Sequence, residues 1–179
     1  MRSYLLNLWN IMDPIYYQCT RLCYVPGMER ENTIFRVRLT RYKGARVILE
    51  DGTVIKRNDV LIKIHLHNVR LISEIQSIDN EVKKAIHLYR SIRQALGGLA
   101  VFLEENKKYC KAKGILGITM LNQGAIRLGF EIVPIKNPFY RSFKKWTFFL
   151  INILTNASIS EEPMYLFMSK EQLQKHYLS

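Results

Sequence analysis

Several kinds of residue and segment are scarce in this chain, and each scarcity removes a class of protein. Cysteine occurs three times in 179 residues, at Cys19, Cys23 and Cys110. That odd count has no framework spacing, so it argues against a disulfide scaffold and fits a reducing compartment. Five prolines and nine glycines are too few for a disordered or low-complexity chain. No apolar run is long enough to span a bilayer: the most apolar stretch, Trp146 to Leu154, falls far short of the roughly 20 residues required. The first twelve residues lack a clean apolar region and a small-residue cleavage site, so no signal peptide is expected and the expected location is cytoplasmic. No Ser/Gly/Pro-rich linker and no internal period divides the sequence, so residues 1–179 are expected to form a single domain.

Apolar side chains and positive charge are plentiful. A hydrophobic content of 48%, with ten Tyr and eight Phe, can fill a real core. Lys and Arg number 27 against 15 Asp and Glu, a net charge of +12. A surplus of that size favours anionic partners: nucleic acid, lipid headgroups or phosphate-bearing polymers. The charge is spread along the chain rather than gathered in one block.

Hydrophobic spacing sets the expected elements. Residues 3–24 read as helical through Leu5, Leu8, Trp9, Met12, Tyr16, Cys19 and Cys23, with a restart at Asp13-Pro14. Cys19 and Cys23 then lie one turn apart, where a buried helix face explains them more simply than a shared metal. Residues 33–42 alternate, with Phe35, Val37 and Leu39 on one face and Arg36, Arg38, Thr40 and Tyr42 on the other. Strands at 46–50 and 53–56 flank Asp51-Gly52, a strong hairpin signal, and the whole is expected to form an antiparallel meander. A short helix from Asn68 to about Gln76 precedes a long amphipathic helix from about Asp79 to Lys107. Its core-facing residues are Val82, Ile86, Tyr89, Ile92, Leu96, Leu99 and Leu103, and Gly97-Gly98 are expected to permit close packing. A second hairpin is expected at 115–121 and 125–133, around Asn122-Gln123-Gly124. Asn137-Pro138 opens a helix reaching about Thr155. Met164 to Met168 is a strand, and Ser169 to Gln172 spells a capping box for a last helix. The expected class is α+β, a mostly antiparallel sheet of short strands packed against several helices.

The segment of greatest interest is Leu61-Ile62-Lys63-Ile64-His65-Leu66-His67-Asn68. Ile62, Ile64 and Leu66 share one strand face, Lys63, His65 and His67 the other. Asn68 suits a helix cap directly after the strand. Two imidazoles and a carboxamide thus gather at the carboxyl end of a strand, where α/β architectures tend to place ligands.

Several phrases together resemble a known family. Thr40-Arg41-Tyr42-Lys43-Gly44, Leu49-Glu50-Asp51-Gly52-Thr53 and Asn58-Asp59 leading to Ile64-His65-Leu66-His67-Asn68 are similar to the opening half of the YkoP-like domain. Gly117-Ile118-Thr119, Leu128-Gly129-Phe130-Glu131, Met168-Ser169-Lys170 and His176-Tyr177 are similar to its closing half. The resemblance implies a small bacterial domain of unsettled activity that also occurs joined to polysaccharide-deacetylase-like catalytic domains, and hence a setting in cell-envelope polysaccharide metabolism. It implies that His65 and Asn68 belong to the family pattern while the position of His67 varies. Where the family has Gly-Asp, this chain has Asn58-Asp59, and Asn tolerates the left-handed backbone such a turn uses.

The chemistry divides as follows. A metal held by His65 and His67 needs a third ligand, with Glu50, Asp51 or Glu131 in view; no metal and no cofactor are expected. His65 with Asn68, Arg36, Arg38 and Lys63 is expected to bind an anionic ligand, an envelope polymer or an anionic lipid surface, in an accessory module. The alternative is a small enzyme with His65 as acid/base, although no catalytic glycine pattern or triad spacing is present. Nucleic acid is disfavoured, because Tyr4 and Tyr42 add aromatic surface without a recognition motif. The helix 138–155, rich in Phe139, Phe143, Trp146 and Phe148 and carrying Arg141, Lys144 and Lys145, is expected in the core. Its alternative is an interfacial helix that would place the protein at the membrane periphery.

Overall fold

The structure is a computed structural model and describes residues 23–24, 34–66, 74, 77–119, 122–145 and 162–178. Its elements are β1 (Cys23–Tyr24), β2 (Phe35–Arg41), β3 (Val47–Ile48), β4 (Val54–Ile55), β5 (Val60–Leu66), α1 (Glu81–Glu105), β6 (Gly114–Thr119), α2 (Asn122–Arg127), β7 (Glu131–Pro134), β8 (Met164–Ser169) and α3 (Lys170–Tyr177). Residues 138–145 are also helical. The protein is α+β. Six strands form one sheet in the order β1-β2-β5-β6-β8-β7, and β3 with β4 forms a separate two-stranded sheet. Every neighbouring pair of the large sheet is antiparallel except β5 with β6, which the long crossover through α1 permits.

One sheet face is apolar and carries the helices. Phe35 and Val37 of β2, Ile62 of β5, Ile115 of β6 and Met168 of β8 pack with Leu96, Leu99 and Leu103 of α1 and Leu173 of α3. Helix α1 begins where Asn80 accepts a bond from the Lys83 amide at 3.1 Å, which satisfies one of the orphan donors at a helix start. Helix α3 begins in the same way, with Ser169 Oγ accepting from the Gln172 amide at 2.9 Å. At the lower end of the opposite face, Leu61, Leu116 and Phe167 lie beneath the β3–β4 hairpin, packed with Tyr42, Leu49 and Ile55. The hairpin is tied to the sheet by Lys113, whose Nζ meets Asp59 Oδ2 at 2.8 Å and the Val54 carbonyl at 3.3 Å. Gly52 (φ 84°) turns the hairpin, and Asn58 (φ 72°) takes the left-handed backbone that its type tolerates. Gly114 faces Ser169 across the β6–β8 ladder, where an added Cβ would collide with the Met168 carbonyl.

Several expectations are corrected. Cys23 lies in strand β1 rather than at the end of a helix, and Cys19 lies outside the described residues. The 46–56 strands stand apart from the meander, and β2 pairs directly with β5. The expected 115–133 hairpin does not form. Residues 122–127 are helical, the left-handed residue is Gly129 (φ 85°), and β8 inserts between β6 and β7. On α1, Val82 and Ile86, expected to face the core, are 67% and 45% exposed. An added Cβ at Gly97 would meet nothing within 4 Å, so close packing does not explain it. Phe139 and Phe143, expected in the core, are 86% and 60% exposed. Tyr42, expected on the surface, is buried. Tyr4 and most of the 68–76 and 146–155 segments lie outside the described residues.

Candidate functional site

Strands β2 and β5 run antiparallel side by side, and their register places Arg36 opposite His65 and Arg38 opposite Lys63. Directly opposed side chains stand roughly 5 Å apart at Cβ, and the two-residue period turns all four away from α1. The alternation read from the sequence therefore delivers one continuous row, because the two strands are neighbours.

A fifth group comes from elsewhere in the chain. Asn137 Oδ1 accepts from the Tyr140 amide at 3.0 Å and starts the 138–145 helical segment. The Tyr140 ring stacks on Tyr165 of β8, with centroids 6.3 Å apart and planes 24° apart. Lys144, one turn further, places its ammonium 5.6 Å from the Tyr140 ring centroid and 5.7 Å from that of Phe143, a cation–π arrangement. The sequence shows Lys144 only as one of the basic residues, with Arg141 and Lys145, of the 138–155 helix. Its helical spacing from Tyr140 was visible, but the sheet face it crosses was not.

These cations are not freely solvated. Arg36 is 5% exposed, and Arg38, Lys63, His65 and Lys144 are half-buried. Burial, then the charges of Lys144 and Arg38, push the Lys63 ammonium down to about 8. Burial, then Lys63, Arg38, Lys144 and Arg36, push the His65 imidazole down to about 3. Lys144 is lowered by burial and by Arg38. At neutral pH the His65 ring is therefore neutral, with one nitrogen donating and the other accepting. The arrangement can give an anion several charged donors and one neutral imidazole on a partly dehydrated surface.

The other expected ligands fall elsewhere. Asn68 and His67 lie outside the described residues. Glu131 stands on β7, three strand positions from β5, and its Oε1 accepts from the Glu50 amide at 2.9 Å. Asp51 accepts from the Thr53 amide within its own turn at 2.8 Å. Glu131 is thus removed from His65, and the geometry accounts for Asp51 as a turn residue. Among the described residues, no group of three or more His, Cys, Asp or Glu is placed to hold a metal ion.

The fold and the face define a small α+β protein whose cationic side chains gather on the sheet face opposite its long helix. The YkoP domain model matches residues 2–177, and the chain belongs to this family. It is 46% identical over 181 residues to the uncharacterised protein YkoP of Bacillus subtilis (strain 168), covering 99% of this chain and 98% of that one. No solved structure gives a significant match.

Proposed function

We propose that this protein is a binding module for an anionic ligand, seated on the outer face of β2 and β5. Arg36, Arg38, Lys63 and Lys144 supply charge, and His65 supplies a neutral hydrogen-bonding ring. The observation that carries this reading is the register that sets Arg38 opposite Lys63 on a half-buried surface. Like charges directly opposed weaken a sheet, and a local cost of this kind is usually retained where a ligand repays it. The lowered Lys63 ammonium agrees with that cost. The envelope-polysaccharide setting implied by the family resemblance supplies a ligand class rich in phosphate and carboxylate.

The enzyme reading, with His65 as acid/base, receives less support. A ring that protonates only near pH 3 is a poor general acid at neutral pH. The test is titration of the whole protein with a phosphate-bearing polymer such as a teichoic-acid fragment. We expect saturable, salt-sensitive binding that weakens roughly tenfold or more in Lys63→Gln and in Arg38→Gln. Absence of saturable binding at low salt, or binding by both variants as tight as that of the wild type, overturns the proposal.

A further inference from the structure

The same helical segment that carries Lys144 to the cationic face presents Phe139 and Phe143 outward. The two phenyl rings are four residues apart and so share one helix face, and they are 86% and 60% exposed. Single exposed apolar residues are ordinary. Here two large aromatic rings adjoin a cluster of positive groups instead. The Lys144 ammonium lies 5.7 Å from the Phe143 ring centroid, and its charge acts on Lys63 and His65. The segment is held against the sheet by the Tyr140–Tyr165 stack. On its far side Lys145 and Arg141 meet Glu162 at 2.8 and 3.4 Å, and Lys136 is exposed just before it.

Resting on the anion-binding reading, we infer that the anion is the headgroup of an anionic membrane lipid, and that Phe139 and Phe143 seat the protein on the bilayer. A free soluble anion would make no use of the two rings. A headgroup phosphate has an acyl boundary directly beneath it. Rings within about one and a half helical turns of Lys144 can enter that boundary while the ammonium reaches the phosphate. The complementarity of charge is broad as well as local, since the chain carries +12 overall and anionic leaflets attract each nearby Lys or Arg. Among the described residues no helix is long and apolar enough to cross a membrane, and the attachment proposed is a shallow one.

The experiment is flotation of the full chain with phosphatidylcholine vesicles, with and without phosphatidylglycerol, beside titration of the soluble polymer used above. The wild type is expected to float with the anionic vesicles and to remain behind with the neutral ones. Phe139→Ser with Phe143→Ser alters exposed positions, and its folding is checked by an unchanged Tm. It is expected to lower vesicle partitioning roughly tenfold while leaving polymer binding intact. Arg38→Gln with Lys63→Gln is expected to lower both. If the wild type binds the polymer but ignores anionic vesicles, or if the double Phe variant floats as well as wild type, the lipid inference fails while the anion site survives. If the Arg38/Lys63 variant floats and binds polymer like wild type, the anion site itself fails.

Discussion

Beneath the β3–β4 hairpin the outer sheet face carries Leu61, Leu116 and Phe167, closed over by Tyr42, Leu49 and Ile55. Two residues further along the same strand β5 the side chain is Lys63, and two beyond that His65. At the hairpin end, charge is matched: Lys113 meets Asp59 at 2.8 Å and, with the Lys56 amide, holds its carboxyl below the usual range. At the other end Lys63 faces Arg38 and lies in the field of Lys144. One sheet face thus divides into an apolar part closed over by the hairpin and a part lined by basic side chains. Such a division is what the proposed binding surface would leave in a folded protein.

The contrast can be broken by removing its apolar half. Phe167 is fully buried and packs edge-on to Tyr42 with ring centroids 5.4 Å apart. Phe167→Ala should cost about 3–5 kcal/mol in chemical denaturation; a loss below about 1 kcal/mol would mean the hairpin end is not a packed core. The other half should respond with the opposite sign. Lys63→Met keeps the aliphatic stem, removes a charge the fold disfavours, and should raise stability of the ligand-free protein by roughly 1–2 kcal/mol while weakening anion binding. A destabilised Lys63→Met would show that the cationic end also serves the fold.

The smallest effect concerns acid. The folded protein holds His65 neutral down to about pH 3, whereas the unfolded ring protonates near 6.5. Between these values the unfolded chain binds more protons, so stability falls as pH drops from 6.5 towards 3. Asp59, lowered in the folded state, loses its contribution in the same direction at more acidic pH. His65→Gln should therefore remove about 1 kcal/mol of the loss seen between pH 6.5 and about pH 5, above the carboxylate range. An unaltered pH profile would place the ring in a solvated environment.

Much of the fold was legible because local rules governed it. Ser169 announces its helix as a cap, Asp51-Gly52 announces its turn, and the alternation of Phe35, Val37 and Leu39 against Arg36 and Arg38 announces a strand with one polar face. The failures are non-local. Nothing in residues 115–133 records that Met164–Ser169 will insert between β6 and β7, and the prior favouring adjacent strands as partners misleads there. In the site, the row of Arg36, Arg38, Lys63 and His65 followed from periodicity once β2 and β5 were neighbours. Lys144 did not, because helix periodicity says which residues share a face but not which sheet that face will cover.

Gly114 carries a consequence for ancestry. The main chain of Met168 and Ser169 occupies the space a side chain would need, at the ladder position that also precedes the first turn of α3. A descendant that keeps this strand pairing is therefore confined to a single choice at position 114. Any lineage in which that choice has changed must have shifted the backbone of Met168 and Ser169 away from position 114.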